Sequence, residues 1–129
     1  MSSNFKDFRV SQQVVIQNDA GEVLVLFEPK GNVWLLPGGR IEETDTDIIE
    51  ALRREVREEL NCEIEIGAPI GVDQSAHWPT YAVAFLAKIT EGVPMLSDEH
   101  TEMKWVAPIE LPEHLYYKRI ATAIAEQLG

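Results

Sequence analysis

The feature that most constrains this chain is the run Arg54-Glu55-Val56-Arg57-Glu58-Glu59, set within a segment whose apolar residues Ile48, Ile49, Leu52, Val56 and Leu60 recur at helical spacing. That spacing predicts a helix, and any fold must bury its apolar stripe while accommodating the acids beside it. At ~100° per residue Glu55 and Glu59 lie about 40° apart, and Glu58 lies about 60° from Glu55 on the other side. Thr44, Asp45 and Thr46 are the candidate caps at its start. Asn61 tolerates the left-handed conformation that ends a helix. Upstream, Pro37-Gly38-Gly39 forces a loop of unusual backbone freedom. Carboxylates at i and i+4 repel by roughly 0.2–0.5 kcal/mol, and acids in a last turn oppose the helix dipole by about 0.3–1 kcal/mol. Two readings follow. Either Arg54 and Arg57 offset the charge of a solvated acidic helix end, or the three carboxylates hold a hard divalent cation.

Around this segment the pattern is mostly strand. Val10 to Gln17 and Glu22 to Glu28 flank the turn residues Asn18-Asp19-Ala20-Gly21 and predict a hairpin. Trp34-Leu35-Leu36 is a short apolar piece. Beyond the helix, Glu63–Ile66 and Pro69–Gln74 are separate short strand candidates, and Thr80–Ile89 is a nearly continuous apolar run suited to a central strand. Met103–Val106 is a last strand. Pro112 precedes a predicted final helix with Leu115, Ile120, Ile124 and Leu128 on one face. Strands on both sides of a helix predict an α/β fold with a mixed sheet packed between helices. With 129 residues, the expectation is one domain over 1–129.

The formal net charge of −11 argues against polymeric nucleic acid as a partner, since such proteins need a basic footprint. A phosphorylated small molecule fits better, because a divalent cation can stand between two negative groups. No apolar run approaches the roughly 20 residues that cross a bilayer, so no membrane partner is expected. The first residues have no secretory apolar region, and Cys62 has no cysteine to pair with; a cytoplasmic location is expected. A homodimer is compatible with the sequence. His77 and His100 lack zinc-ligand spacing with each other or with Cys62.

From Leu36-Pro37-Gly38-Gly39 through Arg54-Glu55-Val56-Arg57-Glu58-Glu59 to about Cys62, the chain resembles the Nudix box, whose Arg-Glu-apolar-x-Glu-Glu core it keeps intact. The box covers about residues 39–62. It departs from the family pattern in two places. Counted forward from Gly39 the family's first acid falls on Asp45, but counted back from Arg54 it falls on Thr46, so the loop holds an extra residue. Asn61 stands where the family has a glycine. The resemblance implies an αβα sandwich with a loop-helix-loop site. It also implies Mg²⁺-dependent hydrolysis, with Mn²⁺ as substitute, of a pyrophosphate bond in a nucleoside diphosphate linked to another moiety. Carried over, the metal ligands are Glu55, Glu58, Glu59 and the Gly39 carbonyl, and Arg54 orients the glutamates. Glu99, ahead of Glu102, is the additional loop carboxylate. Glu58 is favoured as general base over Glu55 and Glu99.

For substrate binding, Arg40 is better placed than Arg9 or Lys30 to meet a phosphate, and His100 is a further phosphate contact to weigh against a surface histidine. Trp34, Tyr81, Trp78 and Phe27 either stack on a base or simply pack. Nucleoside triphosphates, nucleotide sugars and dinucleoside polyphosphates all remain open as substrates. The competing functions are a nucleotide-sensing or protein-interaction domain that keeps the fold without catalysis, and trimming of RNA ends.

Overall fold

The structure is a computed structural model and describes residues 4–76 and 79–129. Among the described residues, seven strands form two sheets. Strands β1 (Arg9–Ile16), β4 (Gly38–Arg40), β5 (Glu63–Ser75) and β6 (Thr80–Glu91) make one sheet in the order β4-β1-β6-β5. Strands β2 (Val23–Glu28), β3 (Val33–Leu35) and β7 (Glu102–Val106) make the other, ordered β3-β2-β7. The first sheet is mixed, because β1 and β6 run parallel while its other pairs are antiparallel.

Alternation along the strands builds an αβα sandwich. Val14 and Ile16 of β1, with Leu24 and Leu26 of β2, pack with Leu52, Val56 and Leu60 of helix α1 (Ile48–Leu60). Val15, Val23 and Val25 face the opposite way and pack with Ile120, Ala121 and Ile124 of the last helix. The predicted α/β fold with a mixed sheet between helices is therefore the observed one, and Thr80–Ile89 does lie centrally, between β1 and β5.

Several local expectations change. Val10–Gln17 and Glu22–Glu28 do not form a hairpin ladder: only Gln17 and Val23 bridge before the chain passes into the second sheet. A strand has two edges, and β4 and β6 already occupy both edges of β1. The two short strand candidates after the helix are one strand, β5, with register shifts around Pro69 that absorb the residue unable to donate. The final helix is split: Pro112 sits in the short helix α2 (Leu111–His114), Leu115 follows it, and α3 runs Lys118–Leu128. The cap of α1 is Asp47, not Thr44, Asp45 or Thr46; its side chain accepts from the N–H groups of Ile49 and Glu50 at 3.0 and 3.2 Å. Ile48, next to that cap, is exposed and leaves the apolar stripe to Leu52, Val56 and Leu60. Asn61 ends the helix in the left-handed region, at φ 55° and ψ 40°, as its residue type predicts.

One buried polar residue fixes the start of α1 against the sheet. Gln12 on β1 donates from Nε2 to the carbonyl of Ile48 at 2.7 Å. Its own carbonyl lies against Gly38, where a Cβ would meet that oxygen at 2.0 Å and where φ is +152°. Only glycine fits there. The loop expected at Pro37-Gly38-Gly39 is in part strand, since Gly38–Arg40 pairs with β1 as β4; this strand and the start of the helix thus share β1 as their anchor.

The cap assignment carries a test. Asp47→Ala should cost about 1 kcal/mol, lowering the thermal midpoint by a few degrees, whereas Thr44→Ala and Thr46→Ala should be near neutral. Calorimetry on the three variants checks this; a larger loss at Thr44 or Thr46 than at Asp47 contradicts it.

Candidate functional site

Backbone and acid meet where the glycines of β4 face the end of α1. The N–H of Gly38 donates to Glu59 Oε1 at 2.8 Å, and Glu59 is only 7% exposed. At Gly39 a Cβ would lie 2.6 Å from Glu55 Oε2, so the missing side chain lets that carboxylate rest against β4. Arg54 organises the acids around it. Its guanidinium meets Asp45 Oδ1 at 2.8 Å, Glu55 Oε1 at 3.1 Å, Glu58 Oε1 at 3.8 Å and Glu42 Oε2 at 3.9 Å. Asp45, not Thr46, is thus the loop acid that answers Arg54, and it also accepts from the Glu42 N–H at 2.7 Å. Arg57 turns away to pair with Glu63, at 2.9 Å from Nη2, and gives the glutamate cluster little relief.

Glu55, Glu58, Glu59 and Glu99 line one recess of about 310 Å³, together with Ser97 and Asp98. Beside it lies a cleft of about 730 Å³ that shares Glu59 and Glu99 and extends past Gln13, Arg40, Thr80, Tyr116 and Tyr117. Glu99 also borders a third recess of about 440 Å³ with Gly39, Arg40 and Glu55. The acid from the loop and the acids from the helix are therefore neighbours, although about 40 residues separate them. Glu102 lies in β7, in register with Phe27.

The residues expected to bind substrate divide. Arg40 lines the large cleft. Trp34 instead packs on Phe27 at 5.2 Å between centroids, with Lys104 Nζ 4.3 Å from its ring, and Tyr81 meets Phe8 edge-on at 6.3 Å. Neither is a lining residue of the cleft. Trp78 and His77 lie outside the described residues. Among the described residues, the aromatic side chains that line the cleft are Tyr116 and Tyr117, which the sequence reading missed because they sit in the α2–α3 connection, without motif or periodicity to mark them. His100 is no surface histidine: its side chain is 8% exposed, with Nε2 3.8 Å from Glu59 Oε2.

Comparison with known proteins agrees with this architecture. The NUDIX domain profile matches residues 7–127. A Bacillus subtilis (strain 168) protein provisionally named an 8-oxo-dGTP diphosphatase is 32% identical over 100 residues, which is 77% of this chain and 66% of that one. The mouse 8-oxo-dGDP phosphatase NUDT18 is 35% identical over 109 residues, 78% of this chain but only 33% of its own length. The crystal structure of a MutT NUDIX hydrolase from Burkholderia pseudomallei superposes with a TM-score of 0.78 at 27% identity, covering 96% of this chain and 100% of that one. The chain thus spans about two thirds of the bacterial relative and a third of the mammalian one.

Electrostatically, the site holds more negative charge than its own cations offset. Burial, reinforced by Glu55, Glu99 and Glu58, pushes the Glu59 carboxyl up to about 8, against the lowering effect of the Gly38 N–H. Burial also raises Glu55, with the Arg54 hydrogen bond opposing it. Asp45 is held low, first by its hydrogen bond from Arg54, and burial lowers His100. A buried carboxylate facing other carboxylates, all hard oxygen donors, is an arrangement that a divalent cation relieves. Unfolded, Glu59 ionises near its ordinary 4.5; folded, near 8. Its contribution to stability is therefore full below about pH 4.5 and is lost as the pH rises toward 8. In EDTA, the wild-type thermal midpoint should fall between pH 5 and 8 relative to that of Glu59→Gln. Parallel midpoint curves for the two proteins would contradict this.

Proposed function

The chain belongs to the NUDIX domain family, and from that premise we propose that it hydrolyses the pyrophosphate bond of a nucleoside di- or triphosphate or a small nucleotide conjugate. The observation that carries the reading is the junction of two cavities at Glu59 and Glu99: an acidic recess, and a cleft of about 730 Å³. A volume of that order is typical of a site for one small ligand. Phosphates would lie toward the glutamates and Arg40, and the nucleoside would extend toward Tyr116, Tyr117, Gln13 and Thr80.

Glu55, Glu58, Glu59 and Glu99, with the Gly39 carbonyl, would hold Mg²⁺ or Mn²⁺. When bound, such an ion screens the phosphate oxygens and acidifies a water, which lowers both barriers to attack on an anionic phosphorus. The chain's own residues do the rest. Gly38 fixes the Glu59 carboxylate, and Arg54 fixes Glu55 while tying Asp45 and Glu42 to the helix. Glu58 is the least committed of the helix acids: its side chain is 61% exposed, and its contact with Arg54 is the long one of 3.8 Å. We assign it the general base. It takes a proton from water as the water oxygen bonds to phosphorus; the bridging P–O bond breaks, and its electron pair leaves with the departing phosphate.

What a relative acts on is a guide for the first substrates, since the B. subtilis and mouse proteins are named for 8-oxo-dGTP and 8-oxo-dGDP. A panel of those two, dGTP, ADP-ribose, a nucleotide sugar and a dinucleoside tetraphosphate should contain at least one compound hydrolysed with Mg²⁺ and not in excess EDTA. Tight binding without turnover of any would favour a sensing domain instead. On the substrate found, Glu58→Gln should lower kcat by about 10²–10⁴-fold with a much smaller change in KM. A kcat within a few-fold of wild type would remove Glu58 from the role of base.

A further inference from the structure

His100 is chemically unusual in this setting. Its side chain is 8% exposed, its Nδ1 is buried without a hydrogen-bond partner among the described residues, and its Nε2 stops 3.8 Å from Glu59 Oε2, beyond hydrogen-bonding reach. A buried imidazole normally has a partner for its nitrogens. One ligand atom from each of Glu59, Glu99 and His100 lies within 4.8 Å of the other two. Ligands on opposite sides of a cation at about 2.1 Å stand about 4.2 Å apart, so small side-chain adjustments would bring all three onto one ion. The loop that carries Glu99 and His100 is tied to the end of α1 by the Met95 N–H, which donates to the Leu60 carbonyl at 3.0 Å.

We propose that His100 supplies a nitrogen ligand, with Glu59 and Glu99, to a mixed nitrogen–oxygen cation site on the cleft side of the glutamate set, selective for Mn²⁺ and later first-row ions over Mg²⁺. The inference rests on the reading of this recess as a divalent-cation site and adds to it the nitrogen donor and the ion preference. The chemistry is one of matching. Mg²⁺ binds oxygen and keeps much of its water, whereas imidazole affinity rises along the first-row series from Mn²⁺ onward. A nitrogen among the carboxylates therefore separates ions that an all-oxygen site would treat more alike. Both candidate carboxylates are shared between recess and cleft, which sets this ion where a bound phosphate would meet it.

The test uses the full chain, metal-free and without nucleotide, at neutral pH, titrated with Mn²⁺ or Mg²⁺ alone. Pulsed electron paramagnetic resonance of Mn²⁺ on the wild type should show coupling to ¹⁴N, and H100N should lose it while keeping the wild-type thermal midpoint within a few degrees. H100N should weaken Mn²⁺ binding about tenfold or more, since even outer-shell partners of a metal are worth that much, and should change Mg²⁺ binding less than twofold. Mn²⁺ bound by the wild type without nitrogen coupling overturns the nitrogen ligand and leaves the all-carboxylate site standing. No Mn²⁺ binding at all overturns both. Equal losses of Mn²⁺ and Mg²⁺ in H100N overturn the selectivity. The wild-type spectrum decides the ligand question even if the variant fails to fold.

Discussion

The hydrogen bond from the Gly38 N–H to the Glu59 carboxylate, 2.8 Å long, is the contact on which the arrangement of the site depends. It joins the first residue of β4 to a helix residue 21 positions on, and it holds that carboxylate at the wall shared by recess and cleft. The neighbouring contact works by absence: without a side chain, Gly39 leaves space for Glu55. Gln12 completes the frame by holding the start of the same helix to β1. Two glycines and one buried amide thus position a set of acids that would otherwise drift apart through mutual repulsion.

That geometry is costly in isolation. Glu59 is buried among like charges and retains its proton well above the ordinary carboxylate range. A fold chosen for stability alone would place an apolar residue there, and a buried carboxylate shifted by burial and like charges, lining a cleft, is what marks a candidate functional site. The cation that relieves the repulsion would be the same one that lets an acidic chain approach a phosphorylated ligand. The net charge of −11, unfavourable for phosphate contact in general, would then become compatible with it at one point.

The central helix was readable from the sequence because its signals are local: apolar spacing, an asparagine at the C-cap, and acids within one turn of each other. The long-range pairings were not. Nothing local distinguishes a hairpin from two strands that part at Gln17, since the competition for β1 comes from β4 and β6, distant in sequence. The same holds for Asp45. Its spacing from Arg54 was ambiguous, and only the folded loop shows that its carboxylate reaches the guanidinium while Asp47 caps the helix. Tyr116 and Tyr117 enter the cleft from the α2–α3 connection, where residue type carries no periodic pattern. Trp34 and Tyr81, chosen for being aromatic, found partners elsewhere in Phe27 and Phe8.

The central claim is that Glu59 is held in the cluster for its charge and not for packing. Hydrolysis by Glu59→Gln, measured with Mg²⁺ on a sample shown by calorimetry to be folded, addresses it most directly, because Gln matches Glu in shape and removes only the charge. Turnover should fall by about 10²-fold or more, with metal-free stability at pH 7 higher than that of the wild type. Turnover near that of the wild type would contradict it.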